Sequence, residues 1–216
     1  MPFFRKIEGD KGWGGIWRIT ETVEDLCGML PRGDVYRAHA YRRFMAERRR
    51  LEYVSVRILV YQLLGEEKQI CYTPTGHPYF ADGSLQLSIS HTSGYASVLF
   101  SKDHETGVDI EAFSERILRL KDRLIGPEEH AESVYDILLH WSAKEAAFKI
   151  LDQEGIDFRR NLTVSGLACA ASRDHAEADG DFRLAYHLSG GETGVFPIHY
   201  ETTSDFVLTY TFRKLA

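Results

Sequence analysis

Hydrophobic and polar positions along the chain change period several times, and each change marks an element. Gly15-Ile16-Trp17-Arg18-Ile19-Thr20 alternates as a half-buried strand does, within a glycine-punctuated first thirty residues that read as β-like and irregular. Residues 35–64 carry the strongest helical signal: Phe44, Leu51, Val54, Ile58 and Leu59 share a face, and Gly65 stops the run. The first half of that helix is arginine-rich and faces solvent or a ligand; the second half is apolar and buried. Thr73-Pro74-Thr75-Gly76-His77-Pro78 is a turn-rich approach to two strands, 85–90 and 95–100, joined by the polar turn His91-Thr92-Ser93-Gly94. Gly107-Val108-Asp109-Ile110-Glu111 reads as a third strand.

Further on, Pro127-Glu128-Glu129 has the proline and acids of a helix start. That start predicts a second helix near Pro127, and another helix, 136–151, carries Ile137, Leu138, Trp141, Ala147, Phe148 and Leu151, with Gly155 as its stop. Residues 172–181 are polar and read as an exposed loop, and 195–201 and 206–212 form a last hairpin. A long helix thus precedes a hairpin twice. The pattern predicts an α+β fold of two similar modules, 1–103 and 104–216. Each module alone would bury only about 60% of its unfolded surface, so the two are expected to share an interface.

Composition narrows the class. With 44% hydrophobic and 12% aromatic residues the chain can build real cores, which excludes disorder as the native state. No apolar run approaches the ~18 residues of a membrane helix, and the first ten residues turn polar too early for a signal peptide. Cys27, Cys71 and Cys169 are scattered without a C-x-x-C spacing and read as reduced thiols of a cytoplasmic protein. Net charge is −6, yet residues 32–57 hold eight arginines against three acids, leaving −11 on the rest. That distribution argues against a general nucleic-acid binder. It suits one local anionic ligand or partner, or a solvated helix face.

Three places can carry chemistry. Asp109 and Glu111 lie two apart on a strand, so both carboxylates take one face while Val108 and Ile110 take the other. A hard divalent cation relieves the repulsion between them; a charged, solvated sheet edge is the alternative. In Trp141-Ser142-Ala143-Lys144-Glu145-Ala146-Ala147-Phe148-Lys149, Glu145 and Lys149 stack one helical turn apart. They supply either a third carboxylate with ammonium groups for phosphate oxygens, or a helix-stabilising surface pair. Ser90 and His91 follow an alternating strand and suit phosphate oxygens, though a lone histidine is also a common structural residue. G-x-S-x-G, G-x-x-x-x-G-K-[ST], G-x-G-x-x-G and H-E-x-x-H are all absent from the sequence.

Taken in order, these pieces resemble one family. Gly107-Val108-Asp109-Ile110-Glu111 is similar to its G-x-D-I-E motif, and Trp141 to Lys149 to its W-x-x-K-E-A-x-x-K motif, thirty residues on. Ser88-Ile89-Ser90-His91-Thr92 is similar to S-I-S-H-S, and Thr75-Gly76-His77-Pro78-Tyr79 to a G-K-P-Y turn in which His77 replaces lysine. The family is the 4′-phosphopantetheinyl transferases of the Sfp type, and the likeness runs from about Arg37 to Lys149. It implies two similar α+β modules in one chain forming a pseudo-two-fold dimer, and a monomeric protein. The implied activity moves 4′-phosphopantetheine from coenzyme A to a serine of an apo acyl or peptidyl carrier protein and releases adenosine 3′,5′-bisphosphate.

The resemblance also implies site roles. Asp109, Glu111 and Glu145 hold Mg²⁺; Lys149, with Lys144, contacts the pyrophosphate; and Glu145 or a metal-bound water is the base. Arg37, His77, Ser90 and His91 contact the coenzyme. Glu129 matches a family acid only loosely, and some of Arg48, Arg49 and Arg50 are left over for docking an acidic carrier protein. No nucleic acid or membrane enters this picture. A Mg²⁺-dependent phosphohydrolase, with water in place of the serine, and an inactive binding paralogue are the competing readings.

Overall fold

The computed structural model describes residues 3–167 and 177–215. Cys169 and positions 172–176 of the expected loop lie outside them. The fold is mixed α/β with several sheets, and the chain divides into two compact units, Met1–Asp103 and His104–Ala216. Every strand pairing among the described residues is antiparallel.

The first unit runs β1 (Phe3–Gly9), β2 (Gly12–Arg18), α1 (Val23–Gly28), α2 (Gly33–Arg43), α3 (Glu47–Leu64), β3 (Ile70–Tyr72), β4 (Pro78–Phe80), β5 (Gln86–Thr92) and β6 (Tyr95–Ser101). Its main sheet has the order β1-β2-β6-β5, and its core gathers Trp17, Leu26, Val54, Ile58, Leu59 and Phe100. Helix α1 is unforeseen in the hydrophobic pattern: six residues are too few for periodicity, and the Thr22–Asp25 capping box starts it instead.

The expected helix over 35–64 is two helices. Phe44 adopts an extended conformation, and the Arg50 guanidinium donates to the carbonyls of Phe44 at 2.8 Å and Met45 at 3.1 Å, satisfying the acceptors that the break exposes. The hairpin turn is also tighter than expected. Strands β5 and β6 continue to Thr92 and from Tyr95, leaving Ser93-Gly94 as the turn with Gly94 at φ 79°. Ser90 and His91 are therefore strand residues.

The second unit runs β7 (His104–Ala112), a 3₁₀ segment (Glu115–Leu120), α4 (Lys121–Leu124), α5 (Val134–Leu151), α6 (Phe158–Asn161), β8 (Leu162–Ser165), β9 (Ala178–His187), β10 (Thr193–Thr202) and β11 (Phe206–Lys214). The sheet order is β7-β11-β10-β9-β8, with α5 packed on β7 and β11. No helix starts at Pro127. Residues 126–129 form a turn because the Glu129 carboxylate folds back on the Gly126 amide at 2.6 Å. Positions 178–181, expected in a loop, open β9 and pair with β10 from Ala178 opposite Thr202 onward. Helix α5 begins with a Ser133–Asp136 capping box and ends at Asp152, in a left-handed conformation with φ 42°, three residues before Gly155.

One order of connection occurs in both units. A strand (β2 or β7) precedes a long helix (α3 or α5), a hairpin follows (β5–β6 or β10–β11), and the hairpin's second strand pairs with the strand before the helix.

Candidate active site

Gly107 lets α5 lie directly on β7. A Cβ there would stand 2.0 Å from the Ala146 carbonyl, so any other residue would push the helix off the strand. Ala143, Ala146 and Ala147 complete the close contact and are fully buried. The two sequence motifs are thus two sides of one packing interface, with the carboxylates of β7 facing one stripe of α5.

That stripe is Trp141, Glu145 and Lys149, at successive intervals of four. The Lys149 ammonium donates to Asp109 Oδ1 at 2.9 Å and to the Val108 carbonyl at 2.7 Å. Trp141 Nε1 donates to Glu111 Oε1 at 2.8 Å. Ser142 binds the Asp109 carbonyl at 3.3 Å and the Thr209 hydroxyl at 2.9 Å, fixing the helix against β7 and β11. Asp109 is only 4% exposed, which rules out the solvated sheet edge as its setting.

Glu145 is the perturbed group. Burial pushes its carboxyl up to about 7; Asp109 adds to the rise, Lys149 opposes it, and Glu111 contributes a smaller increase. Asp109 and Glu111 are therefore close enough to disfavour the ionised form of Glu145. Among the described residues, no group of three or more His, Cys, Asp or Glu side chains is arranged to hold a metal ion. The donor chemistry nonetheless fits Mg²⁺: three oxygen donors, mutually repelling, one of them neutralised by an ammonium. Asp109 would exchange that ammonium for the cation.

Lys144 is placed elsewhere. It is fully buried and donates to Glu129 Oε2 at 2.7 Å and to the Leu124 carbonyl at 2.9 Å. Glu129 also accepts from the amides of Gly126 at 2.6 Å and Val164 at 2.7 Å. Burial pulls the Lys144 ammonium below its ordinary range, against the Glu129 carboxylate that raises it. Lys144 and Glu129 thus form an internal tie between α5, the 126–129 turn and β8. This removes Lys144 from the groups that could meet a pyrophosphate and Glu129 from the candidate metal or water ligands. Adjacency to Glu145 in sequence is misleading here, because neighbours on a helix point 100° apart.

In the first unit, His91 lines a cavity of about 310 Å³ with Glu52, Arg49, Arg57, Tyr53 and Tyr72 among its walls. Its Nδ1 stands 3.4 Å from Glu52 Oε2, an ion pair when the imidazole is protonated. Glu52 also takes Arg48 at 2.7 Å and Arg49 at 3.0 Å. Burial works against its ionisation, but these arginine hydrogen bonds and the charges of His91 and Arg48 hold it below the usual carboxylate value. Arg57 is buried, donates to the Tyr53 carbonyl at 3.0 Å and stacks 3.6 Å from the Tyr53 ring centroid.

Ser90 is buried on β5, and His77 closes the Thr73–His77 turn through its backbone, with Gly76 and Pro78 on the cavity wall. Arg37 lines a different depression, of about 490 Å³, and pairs with Asp34 at 2.7 Å. Arg48 and Arg49 pair with Glu52, and Arg50 with the carbonyls at the helix break. Glu52 escapes sequence reading as a cavity residue, although its spacing of four and three from Arg48 and Arg49 marks the ion pairs.

No protein-family model matches the chain, and no curated protein matches it.

Proposed function

We propose that this chain is a Mg²⁺-dependent 4′-phosphopantetheinyl transferase that modifies a serine of an apo acyl or peptidyl carrier protein with coenzyme A as donor. The observation that carries the proposal is Glu145, held near neutrality by burial and by Asp109 and Glu111 and bounded by Lys149. A cluster of acids that raises one of its own members in this way favours a bound cation beside an anionic substrate. The order of the four sequence motifs and the repeated connection in the two units support the same reading, including a pseudo-two-fold arrangement of two related modules.

In the proposed reaction the serine oxygen attacks the β-phosphorus of coenzyme A. The new P–O bond joins 4′-phosphopantetheine to the serine, and the pyrophosphate bond breaks to release adenosine 3′,5′-bisphosphate. Asp109, Glu111 and Glu145 would hold Mg²⁺, which when bound supplies positive charge to the pyrophosphate. Lys149 offers its ammonium to the developing charge on the leaving phosphate. Glu145, whose ionised form bound Mg²⁺ would favour, or a water on the metal would take the serine proton. Trp141 holds Glu111, and Ser142 holds the Asp109 backbone. His91 and Ser90, with His77 and Arg37, are the proposed coenzyme contacts.

Adenosine 3′,5′-bisphosphate release tests the reading. It should require both Mg²⁺ and an apo carrier protein. Release from coenzyme A alone would favour a hydrolase, and no release in any mixture would leave a binding protein without turnover.

A further inference from the structure

A cavity of about 570 Å³ opens in the second unit, larger than those of about 310 and 490 Å³ in the first and within the range of small-molecule sites. The transferase reading gives it no role. Its walls come from three places: the 126–129 turn, Arg159 and Arg160 of α6, and Thr163 of β8 with His187 of β9. No Phe, Tyr or Trp lines it among the described residues, so it suits a polar ligand rather than a stacked one.

Charge is unevenly matched across these walls. Glu129 is satisfied, because its carboxylate takes the Lys144 ammonium and the amides of Gly126 and Val164. The arginines are not. Asp157 accepts from the backbone amides of Arg159 at 2.9 Å and Arg160 at 3.1 Å, but comes no nearer than 3.9 Å to the Arg160 guanidinium, beyond a hydrogen bond. No side-chain hydrogen bond or ion pair engages Arg159, Thr163 or His187 among the described residues. Glu128 is the one wall carboxylate without a cation of its own. The unit as a whole has twelve basic and twenty acidic residues, net −8, so a cavity with two free guanidinium groups stands against the charge of its surroundings.

The walls are tied to one another. The Asn161 side chain donates to the His187 carbonyl at 2.8 Å and accepts from the Asp157 amide at 2.8 Å, which joins α6 to β9. The turn meets α6 closely: a Cβ on Gly126 would stand 3.0 Å from the Arg159 carbonyl oxygen. Two guanidinium groups, a hydroxyl and an imidazole are thus offered as donors from three elements of a braced frame. A carboxylate brings two acceptor oxygens and one charge. A phosphate group brings three oxygens and close to two charges, and guanidinium groups bind it through paired hydrogen bonds.

We propose that this cavity binds the phosphate group of a small polar molecule, as a site separate from the coenzyme contacts of the first unit. The proposal goes beyond the transferase reading and does not rest on it.

The test uses the full chain with ¹³C-labelled histidine, at constant pH and ionic strength and without divalent cation. The His187 imidazole resonance, assigned with His187→Gln, reports this cavity, and that of His91, assigned with His91→Gln, reports the first unit. Inorganic phosphate, glycerol 3-phosphate and succinate are the probes. Both phosphate probes should shift His187 saturably, at concentrations about tenfold lower than succinate. Arg159→Gln/Arg160→Gln should weaken both by about tenfold or more, and Thr163→Val by about threefold. The tighter of the two phosphate probes assigns the free ion or the monoester as the ligand. The proposal is overturned by phosphate probes that leave His187 unmoved, by a double-glutamine variant that binds them as wild type does, or by succinate binding equally well. None of these outcomes bears on transfer from coenzyme A.

Discussion

Lys149 and Asp109 join α5 to β7 through a single ammonium–carboxylate contact of 2.9 Å, 23% exposed on the lysine side and 6% on the aspartate side. Lys144, five residues earlier on the same helix, makes a shorter contact of 2.7 Å with Glu129, shut away from solvent on both sides. The two lysines of one motif therefore serve different ends, and substitution separates them. Lys144→Ala leaves Glu129 buried without its cation and should cost about 3–5 kcal/mol of stability. Lys149→Ala should cost less and slow transfer by about a hundredfold or more. Mg²⁺ should recover thermal stability in Lys149→Ala, by replacing the ammonium at Asp109, but not in Lys144→Ala. Calorimetry with and without Mg²⁺ checks this; equal recovery in both variants would contradict it.

Glu145 sets a pH dependence whose sign is fixed by its shift. Its folded value, about 7, lies above the ordinary carboxyl value of 4.5, so the folded state favours the protonated form. The stability it contributes is fully present below about pH 4.5 and is lost as pH rises through 7. The contribution is on the order of 1–3 kcal/mol. In the absence of divalent cation, Glu145→Gln should abolish that loss between pH 5 and 8. Added Mg²⁺ should move the wild-type transition to lower pH, as a cation favours the ionised acid. Denaturant melts across this range read both effects.

Glu52 behaves in the opposite sense. Its folded value is depressed, so the stability it contributes is present above the ordinary carboxyl value and is lost as pH falls through the folded value. Replacing Arg48 and Arg49 together by alanine leaves the buried Glu52 carboxylate with His91 beside it, and should destabilise the chain by about 2–4 kcal/mol. Glu52→Gln in that background should restore much of the loss. Melting at pH 7 provides the comparison, and a double-arginine variant as stable as wild type would show the ion pairs to be idle.

Much of this was legible in sequence because the features are local and periodic. The alternation at 85–100 and 107–111, the stop at Gly65 and the i, i+4 stripe of Trp141, Glu145 and Lys149 follow from strand and helix periods. Other features depend on contacts between distant segments. The break at Phe44 is stabilised by Arg50, whose reach to carbonyls six and five residues back has no hydrophobic signature. Glu129 looks like a helix-start acid beside Pro127, but Lys144 and the amides of Gly126 and Val164 draw it inward. Strand β9 begins in a charged stretch, Ala178-Asp179-Gly180-Asp181, where pairing with β10 outweighs composition. Arg37 and His91, joined by the family resemblance as coenzyme contacts, line separate depressions of the first unit.

The acids of β7 and α5 should act as a set. Asp109→Ala, Glu111→Ala and Glu145→Ala should each lower transfer by two orders of magnitude or more, roughly the loss of one strong electrostatic contact at a transition state. Trp141→Phe removes only the hydrogen bond to Glu111 and should have a smaller effect. Retention of near-full activity by any one of the three acid variants would take that residue out of the proposed metal set.

The most direct measurement of the central claim is the intact mass of apo carrier protein after incubation with the chain, coenzyme A and Mg²⁺. The account predicts a gain of one 4′-phosphopantetheine group, located on the carrier serine, absent with Glu145→Ala and absent when Mg²⁺ is chelated. An unmodified mass across apo acyl and peptidyl carrier proteins, with wild-type chain that is folded and Mg²⁺ in excess, would contradict it.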